Sequence, residues 1–246
     1  MVISMFVKRI EYEKEKIENL DEYPYNIPCL KSLDILNFHS PVTFLIGENG
    51  SGKSTLIEAM AISMGMNGEG GTNNFNFSTK NTISSLHQYI KVVKTSKLPQ
   101  TKFFLRAESF YNFATQLDEI EKDSGGIFTY YGGKSLHEQS HGESFMAVMK
   151  NRFGKNGLYI LDEPEAALSP TRQMSLLILM KQLIDEGSQF IIATHSPILL
   201  SYPNAEIYDL EHSFSSCKYE ETEYYQLYKL FINDKERILS ELLSEL

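Results

Sequence analysis

Residues 47–54 read Gly47-Glu48-Asn49-Gly50-Ser51-Gly52-Lys53-Ser54, and this octapeptide restricts the fold more than any other part of the chain. It matches the pattern G-x-x-x-x-G-K-[ST], whose glycines let the backbone curl so that N–H groups point inward at a phosphate. The apolar residues 41–46 before it are typical of a buried strand, and residues 55–64 after it are typical of a helix. A helix in this position adds its positive N-terminal end to the loop. The sequence therefore predicts a strand–loop–helix unit that holds the phosphates of a nucleotide.

Two side chains of the loop have predicted roles of their own. The Lys53 ammonium would bridge the β- and γ-phosphates, which makes it a catalytic as well as a binding residue, and the Ser54 hydroxyl would hold Mg²⁺. The alternative, a glycine-rich turn that binds nothing, is disfavoured because the motif and its strand–helix context agree. The predicted nucleotide-binding residues are Gly47, Glu48, Asn49, Gly50, Ser51, Gly52, Lys53, Ser54 and Thr55.

A second apolar strand, predicted over residues 158–161, delivers two carboxylates at its carboxyl end, Asp162 and Glu163. Open α/β sheets bind ligands at that end of their strands. Asp162 is expected to hold Mg²⁺ directly or through water, and Glu163 to act as the base that polarises the attacking water. The alternative is a strand that merely ends in an acidic turn. This alternative is disfavoured because the strand follows a phosphate loop in the same chain.

A third apolar strand, predicted over residues 189–194, ends at His195. An imidazole there would hydrogen-bond the γ-phosphate and the attacking water. A lone histidine is usually structural, but one at a strand end that follows Asp162 and Glu163 is better explained by a functional role. His195 is therefore a predicted catalytic residue.

The 246 residues have an ordinary globular composition, with 42% hydrophobic and 22% charged residues and a net charge of −9. No run of about 18 apolar residues and no signal-peptide pattern is present, so we expect a cytoplasmic protein without a transmembrane segment. The two cysteines are too few for a disulfide framework or a four-cysteine zinc site. Residues 201–246 hold 10 acidic and four basic side chains. Because phosphate affinity comes from Lys and Arg, a chain of this charge binds nucleic acid only if it has a local basic face.

Strands alternate with helices along the chain, which predicts an α/β fold with a mostly parallel sheet, flanking helices and a small helical subdomain. Residues 82–95 have helical spacing and are predicted as a helix. We expect one domain over residues 1–246. It would consist of a core over about 1–108 and 153–210, a helical part over about 109–152, and acidic C-terminal helices over about 221–246.

In combination, the three motifs resemble those of the ABC-type ATPases. The chain looks most similar to the soluble, RecF-like branch often labelled AAA-family or "predicted ATPase" proteins, whose distant relatives include the SMC proteins. The resemblance covers nearly the whole chain and implies ATP as substrate, Mg²⁺ as cofactor and ATP hydrolysis as the activity. It rests on the phosphate loop, the strand end Leu161-Asp162-Glu163-Pro164 and the segment Thr194-His195-Ser196-Pro197.

In this family a signature sequence, approximately Leu-Ser-Gly-Gly-Gln, caps the γ-phosphate bound to a second subunit. The matching stretch here is Gln139-Ser140-His141-Gly142-Glu143, in which Ser140 and Gly142 match. A serine hydroxyl followed by a helix N-terminus suits an anion. The resemblance therefore implies that Ser140 and Gly142 contact nucleotide, and that the protein forms a homodimer with ATP held between its subunits.

The chain departs from the family pattern at two places. Ser169 stands where the family often has an Asp. The family's Q-loop glutamine is not obvious, and Glu108 is the candidate for its metal- and water-facing role, with a surface acid or an ion pair as an equal alternative. Tyr12, Tyr23 and Tyr25 are candidates for stacking on adenine, although such aromatic residues more often pack in a core or loop.

Residues His137-Glu138-Gln139-Ser140-His141 also satisfy H-E-x-x-H, the zinc-protease pattern. On one helix the two histidines would share a face and ligate zinc. This alternative is disfavoured because the stretch overlaps the signature, because Gly132, Gly133 and Gly142 interrupt a helix, and because no third ligand stands out.

The motifs leave three cellular roles open. Fold-level analogy to RecF and SMC favours a soluble ATPase in DNA maintenance or defence, with nucleic acid as a partner. The alternatives are the ATP-binding subunit of a transporter that works with a membrane subunit, and a non-hydrolysing ATP-gated interaction module. The altered signature and Q-loop region argue against the transporter, because the Q-loop region would contact the membrane partner. No residue that reads the base is identifiable, so ATP is not distinguished from GTP.

Overall fold

Two β-sheets form the framework of the computed structural model, which describes residues 5–71 and 84–244. The larger sheet has six strands in the order β5-β6-β7-β3-β8-β9, and the smaller has three in the order β2-β1-β4. The strands are β1 (Val7–Tyr12), β2 (Ile35–Asn37), β3 (Val42–Ile46), β4 (Ile90–Lys94), β5 (Thr101–Arg106), β6 (Gly157–Asp162), β7 (Gln189–Ala193), β8 (Glu206–Asp209) and β9 (Ser215–Cys217).

Every neighbouring pair in the larger sheet is parallel except β8 and β9. All residues of β3, β6 and β7 are buried. The sequences of such strands are continuous apolar runs because both faces of the sheet are covered. The predicted α/β class with a mostly parallel sheet is confirmed. The order also sets the carboxyl ends of β6, β7 and β3 side by side at one edge.

Eight α-helices accompany the sheets in the described part of the chain. Among the described residues, no helix has the length and apolarity needed to cross a membrane. The helices are α1 (Pro28–Ser32), α2 (Lys53–Ser63), α3 (Phe110–Ser124), α4 (His141–Arg152), α5 (Pro170–Asp185), α6 (Pro197–Leu200), α7 (Glu223–Asn233) and α8 (Lys235–Ser244).

The larger sheet has a separate hydrophobic core on each face. Phe44, on one face of β3, packs in the core formed with α3, α4 and α5. Leu45 points to the opposite face, where α2 and the smaller sheet cover it. Alternating side chains along each strand therefore hold the helical layer on one side and α2 on the other.

The predicted helix over residues 82–95 is wrong for its described part. A short 3₁₀ turn occupies Ser85–Gln88, and β4 follows it. Strand β4 pairs antiparallel with β1, with Ile10 opposite Val92. The β-branched side chains of β4 suit a pleated sheet, but their partner strand is far away in sequence, so periodicity alone did not find it. Residues 82 and 83 lie outside the described residues.

One fully buried side chain joins the two sheets. The Gln189 Oε1 atom, at the start of β7, accepts hydrogen bonds from the backbone N–H groups of Phe6 and Val7 at 2.8 and 3.0 Å. Its Nε2 atom donates to the Val7 carbonyl at 3.1 Å. A single amide thus satisfies three backbone polar groups where the smaller sheet meets the larger one.

Replacement of this amide tests how firmly the sheets are joined. The variant Gln189→Met keeps the length of the side chain but leaves these buried backbone groups without their partner. We expect the free energy of unfolding to fall by about 2–4 kcal/mol, measured by urea denaturation. The control Gln182→Met, at an exposed position of α5, should change it by no more than about 0.5 kcal/mol. Equal effects of the two substitutions would contradict the assigned joint.

Candidate functional site

The loop between β3 and α2 has the backbone that its glycines predict. Gly47, Gly50 and Gly52 all have positive φ, at +149°, +86° and +102°. A Cβ atom on Gly52 would lie 2.6 Å from Cγ2 of Ile27 and 2.9 Å from Sγ of Cys29. Glycine is therefore required at position 52 for two reasons, its left-handed backbone and the close approach of α1.

The Lys53 side chain folds back over this loop. Its Nζ atom donates to the carbonyl oxygens of Gly47 at 2.8 Å and Glu48 at 2.9 Å, and the residue is only 3% exposed. Burial lowers the pKa of Lys53, and the negative charges of Glu163 and Asp162 oppose that shift. The ammonium is thus held at the concave side of the loop.

The Ser54 hydroxyl, one residue further along α2, meets the end of β6. Its Oγ atom donates to Oδ1 of Asp162 at 3.1 Å, and Asp162 is 3% exposed. A hydroxyl and a carboxylate oxygen are the hard donors that Mg²⁺ takes in proteins, usually completed by phosphate oxygens and water. The donor set at this point therefore fits a magnesium ion.

A partly buried arginine that is not among the predicted site residues lies beside this pair. Strand β5 sets Arg106 directly opposite Asp162 in the parallel register. The Arg106 guanidinium lies 3.2 Å from Asp162 Oδ2, 2.8 Å from Glu58 Oε2 and 3.2 Å from Glu108 Oε2. Burial raises the pKa of Asp162 to about 6, against the opposing effects of Arg106 and the Ser54 hydrogen bond.

The Glu108 carboxylate is 83% exposed and pairs with Arg106. It also lines a small cavity of about 190 Å³ together with Ser54, Asp162 and Glu163. Glu108 therefore forms an ion pair, which was the alternative to its predicted metal-facing role, and it also lies beside the predicted magnesium donors.

Glu163 sits in strained backbone at the turn after β6. Its φ and ψ are +47° and 52°, the left-handed region that non-glycine residues seldom occupy. Its N–H donates to the Ala193 carbonyl at 3.0 Å, which ties the turn to the end of β7. Its Oε1 atom lies 3.3 Å from Nε2 of His195. Strain of this kind persists where the surroundings over-determine the backbone, and such positions cluster at functional sites.

Two further residues hold His195, and neither was a predicted site residue. Its backbone N–H donates to Oε1 of Glu165 at 2.5 Å, and its Nδ1 atom lies 2.7 Å from the hydroxyl of Tyr224 on α7. Burial raises the pKa of Glu165, and the hydrogen bond from His195 opposes this shift. Glu165 directly follows the acidic strand end, which is a usable signal. Tyr224 belongs to an aromatic run at helical spacing, which more often indicates core packing.

A cavity of about 510 Å³ opens over the phosphate loop and is lined by Lys53, Ser54 and Glu163. Of the three tyrosines considered for adenine, only Tyr23 lines this cavity, and it is 69% exposed. Tyr12 is buried in the core. Tyr25 bonds Ser85 and packs edge-on against the Tyr89 ring.

Ser140 and Gly142 do not line either cavity at the phosphate loop. Ser140 is the N-cap of α4, where its N–H donates to Glu143 Oε2 at 3.1 Å in a capping box. A Cβ on Gly142 would lie 2.9 Å from the Ala167 carbonyl, so this glycine lets α4 pack against the turn after Glu163. Within one chain, the structure gathers the loop, Asp162, Glu163 and His195, and His141 of the signature stretch lines the small cavity beside Asp162, whereas Ser140 and Gly142 line neither cavity.

The zinc alternative is not supported. His137 lies in a 3₁₀ turn and His141 begins α4, with extended backbone between them. The His137 Nε2 atom lies 3.0 Å from Thr115 Oγ1. In residues 5–71 and 84–244, no group of three or more His, Cys, Asp or Glu side chains could hold a metal ion.

Comparisons with known proteins agree with these motifs. The family model described as "ABC transporter" matches residues 30–166, more than half of the chain. A second model, "AAA domain, putative AbiEii toxin, Type IV TA system", matches residues 143–201.

The curated relatives include two proteins whose names describe ATP-binding proteins of import or transport systems. The "Cobalt import ATP-binding protein CbiO" of Salmonella typhimurium is 25% identical over 202 residues, which are 75% of this chain and 73% of the relative. The "Galactofuranose transporter ATP-binding protein YtfR" of Escherichia coli K12 is 29% identical over 187 residues. That match covers 68% of this chain but 37% of YtfR, so the chain spans little more than a third of this relative.

Two solved structures align over most of the chain. For cbiO1 from Clostridium perfringens, described as part of the ABC transporter complex cbiONQ, the identity is 16% and the TM-score 0.49, with 98% of this chain and 100% of the other covered. For the SMC head domain from Thermotoga maritima the identity is 15% and the TM-score 0.42, with 83% and 95% covered.

The variant Asp162→Asn tests the cost of keeping a carboxylate in this buried position. The pKa of Asp162 in the folded chain is about 6, above its ordinary value of 3.8. The folded state therefore holds this proton more tightly than the unfolded state, so stability is lost as the pH rises from about 4 to about 6. Relative to the variant, the wild type should lose up to about 3 kcal/mol across that window.

Urea denaturation at several pH values, with EDTA present to remove divalent cations, measures this difference. The control Asp185→Asn changes a half-exposed carboxylate on α5 that pairs with Lys181, and it should not reproduce the loss of wild-type stability relative to Asp162→Asn between about pH 4 and 6. A difference between wild type and Asp162→Asn that is constant with pH would contradict the burial effect.

Proposed function

This chain belongs to the ABC transporter family, and we propose that it binds ATP with Mg²⁺ and hydrolyses it at an interface between two copies of itself. The family membership agrees with the α/β fold described above and confirms the predicted ABC-type ATPase fold. The observation that carries the proposal is the convergence of Lys53, the Ser54–Asp162 pair and the Glu163–His195 pair at adjacent strand ends. Three separated sequence motifs thereby meet in one place.

The phosphates of ATP would lie in the curl of residues 47–52, where backbone N–H groups and the N-terminal end of α2 favour negative charge. Lys53 would exchange its bonds to the Gly47 and Glu48 carbonyls for bonds to the β- and γ-phosphates. Ser54 and Asp162 would hold Mg²⁺, with Glu108 at the rim of the same cavity. The bound metal supplies positive charge that neutralises the phosphate oxygens as the bond to the γ-phosphorus breaks.

Hydrolysis requires a base for the attacking water, and Glu163 is the residue proposed for it. Its side chain is 37% exposed and lines the cavity over the loop, so a water can reach it. Glu163 would accept a proton from the water as its oxygen attacks the γ-phosphorus. His195 lies 3.3 Å from the same carboxylate and would orient the carboxylate and the water. Positioning and fixed charge, rather than covalent chemistry, would lower the barrier.

A second copy of the chain would complete the site. Ser140 and Gly142 stand at the N-terminal end of the 12-residue helix α4 and do not reach the cavity of their own chain. The serine hydroxyl and the end of α4 suit a phosphate. Supplied by the opposite subunit, they would close the γ-phosphate side of the cavity.

The cellular role is proposed as an ATPase of DNA maintenance or defence, and the match of residues 143–201 to the type IV toxin–antitoxin model supports defence. The names of CbiO and YtfR favour the second candidate, an ATP-binding subunit that drives a membrane partner.

Co-purification with a membrane subunit would support transport. A salt-sensitive shift of DNA would support the first role. Tight ATP binding and dimerisation without turnover would instead support an ATP-gated interaction module.

Glu163→Gln tests the proposed base. The amide keeps the shape of the side chain but does not accept a proton from water, so kcat should fall by about 10²–10⁴-fold, measured as phosphate release. ATP affinity should persist, and ATP should shift the variant to a dimer on size exclusion. The matched control Glu186→Gln alters an exposed acid at the end of α5 and should retain full turnover. Undiminished turnover in Glu163→Gln would refute the assigned base.

A mixing experiment tests whether each site is shared between two chains. Ser140→Arg and Glu163→Gln should each be inactive alone. In a shared-site dimer, a heterodimer has one intact site, formed by the loop and Glu163 of the first chain and Ser140 of the second. An equal mixture should then recover about a quarter of wild-type activity, because half of the dimers are mixed and each has one working site of two.

The control mixture combines Glu163→Gln with Lys53→Ala. These two defects lie in the same half of the site, so the heterodimer has no intact site and should stay inactive. Activity of the Ser140→Arg and Glu163→Gln mixture no greater than the sum of its parts would rule out the shared site.

A further inference from the structure

A chain of polar contacts runs from the phosphate loop to the base through helix α7. The Tyr224 hydroxyl donates to the Gly47 carbonyl at 2.8 Å. The same oxygen lies 2.7 Å from Nδ1 of His195. On the far side of the ring, His195 Nε2 lies 3.3 Å from Oε1 of Glu163. The loop, the histidine and the base are therefore linked by one tyrosine that lies outside all three motifs.

The protons in this chain can be assigned by counting donors. A carbonyl oxygen only accepts, and its two lone pairs suffice for both Lys53 and Tyr224 at Gly47. Tyr224 has one hydroxyl proton, and that proton is donated to the Gly47 carbonyl. The hydrogen bond between Tyr224 and His195 must then use a proton on Nδ1 of His195. In the neutral ring, Nε2 is consequently the atom without a proton, and it lies 3.3 Å from Glu163 Oε1, so that Nε2 would donate to this carboxylate once it has taken up a proton.

The surroundings of Tyr224 suit this assignment. Burial raises the pKa of its hydroxyl to about 12, so the hydroxyl keeps its proton near neutral pH. The rings of Tyr224 and His195 meet edge-on, with centroids 5.2 Å apart and planes at 90°. The start of α7 is anchored by Thr222, which is 2% exposed and whose hydroxyl donates to the Tyr219 carbonyl at 2.7 Å. The first turn of α7 therefore has a defined position beside the site, although its outer residues Leu227 and Ile232 are exposed.

We propose that Tyr224 is a positioning residue that sets the tautomer and orientation of His195, so that Nε2 is presented to Glu163 and the attacking water. The proposal rests on the proposed function, because Glu163 and His195 act there on water and the γ-phosphate. It also makes α7 a part of the ATPase site, through one contact to the phosphate loop and one to His195. Any movement of this helix would act on both the loop and the histidine.

Tyr224→Phe removes the hydroxyl but keeps the ring that packs on His195. The tautomer is measured by ¹⁵N NMR of the histidine side chains in the full chain without nucleotide, at alkaline pH where the rings are neutral. The signals of His195 are assigned by their loss in His195→Gln. In the wild type, Nδ1 should be protonated and Nε2 not. In Tyr224→Phe, both nitrogens should shift towards values of a tautomer mixture.

Kinetics supply the second readout. We expect kcat for ATP to fall by about 10–100-fold in Tyr224→Phe, because a histidine in the wrong tautomer or orientation gives only part of the rate enhancement that acid–base groups usually contribute. KM should change by no more than about twofold. The control Tyr228→Phe removes a hydroxyl from a half-exposed residue of the same helix. It should leave the His195 signals and kcat as in the wild type.

The two readouts separate failure of this proposal from failure of the proposed function. A wild type protonated on Nε2 rather than Nδ1 would overturn the tautomer assignment even if Tyr224→Phe could not be folded. Identical His195 signals in wild type and Tyr224→Phe would do the same, whether or not ATP is hydrolysed. A changed tautomer with unchanged kcat in an active enzyme would overturn the positioning role. Absence of wild-type turnover would refute hydrolysis but leave the NMR test of the tautomer intact.

Discussion

The parallel pairing of β6, β7 and β3 is the constraint from which the site follows. Parallel neighbours end at the same edge, so the residues after these strands meet although more than 100 positions separate Lys53 from Asp162. The strands stay in register because both faces of the sheet are covered by apolar layers. The rigid edge then allows strained or charged groups, such as the left-handed Glu163, to be held in place.

Charge is concentrated at this edge at a cost to stability. Lys53 and Asp162 are each 3% exposed, and removal of such groups from water is costly unless partners compensate. The partners come from different elements: backbone carbonyls for Lys53, and Arg106 with Ser54 for Asp162. The raised pKa of Asp162 indicates that this compensation is incomplete. A divalent cation and phosphates would add the missing favourable interactions, which is how a binding site differs from an ordinary buried ion pair.

The helices around this edge contribute to it in two ways. Gly142 lets helix α4 pack against the turn after Glu163, so the predicted signature residues are connected to the proposed base through this packing. Helix α7 reaches the loop and the histidine through the one hydroxyl of Tyr224. The subunit interface proposed on α4 and the contact of α7 would therefore both bear on the Glu163–His195 pair. Both are routes by which a partner would influence hydrolysis.

The sequence by itself determined the local features of this protein. A curled, glycine-rich loop, buried apolar strands and polar residues at strand ends are encoded by neighbouring residues, so the α/β class and the candidates Lys53, Asp162, Glu163 and His195 could be read directly. The tertiary structure alone decided which distant groups meet them. Strand β4 was mistaken for a helix because its pairing with β1 is non-local. Arg106 and Tyr224 were missed as site residues because an ion pair or hydrogen bond between remote segments leaves no periodicity or spacing in the chain; only the packing of those segments brings their atoms within reach. Glu165 was missed although it directly follows the acidic strand end, because its contact with His195 is formed only by the tertiary structure.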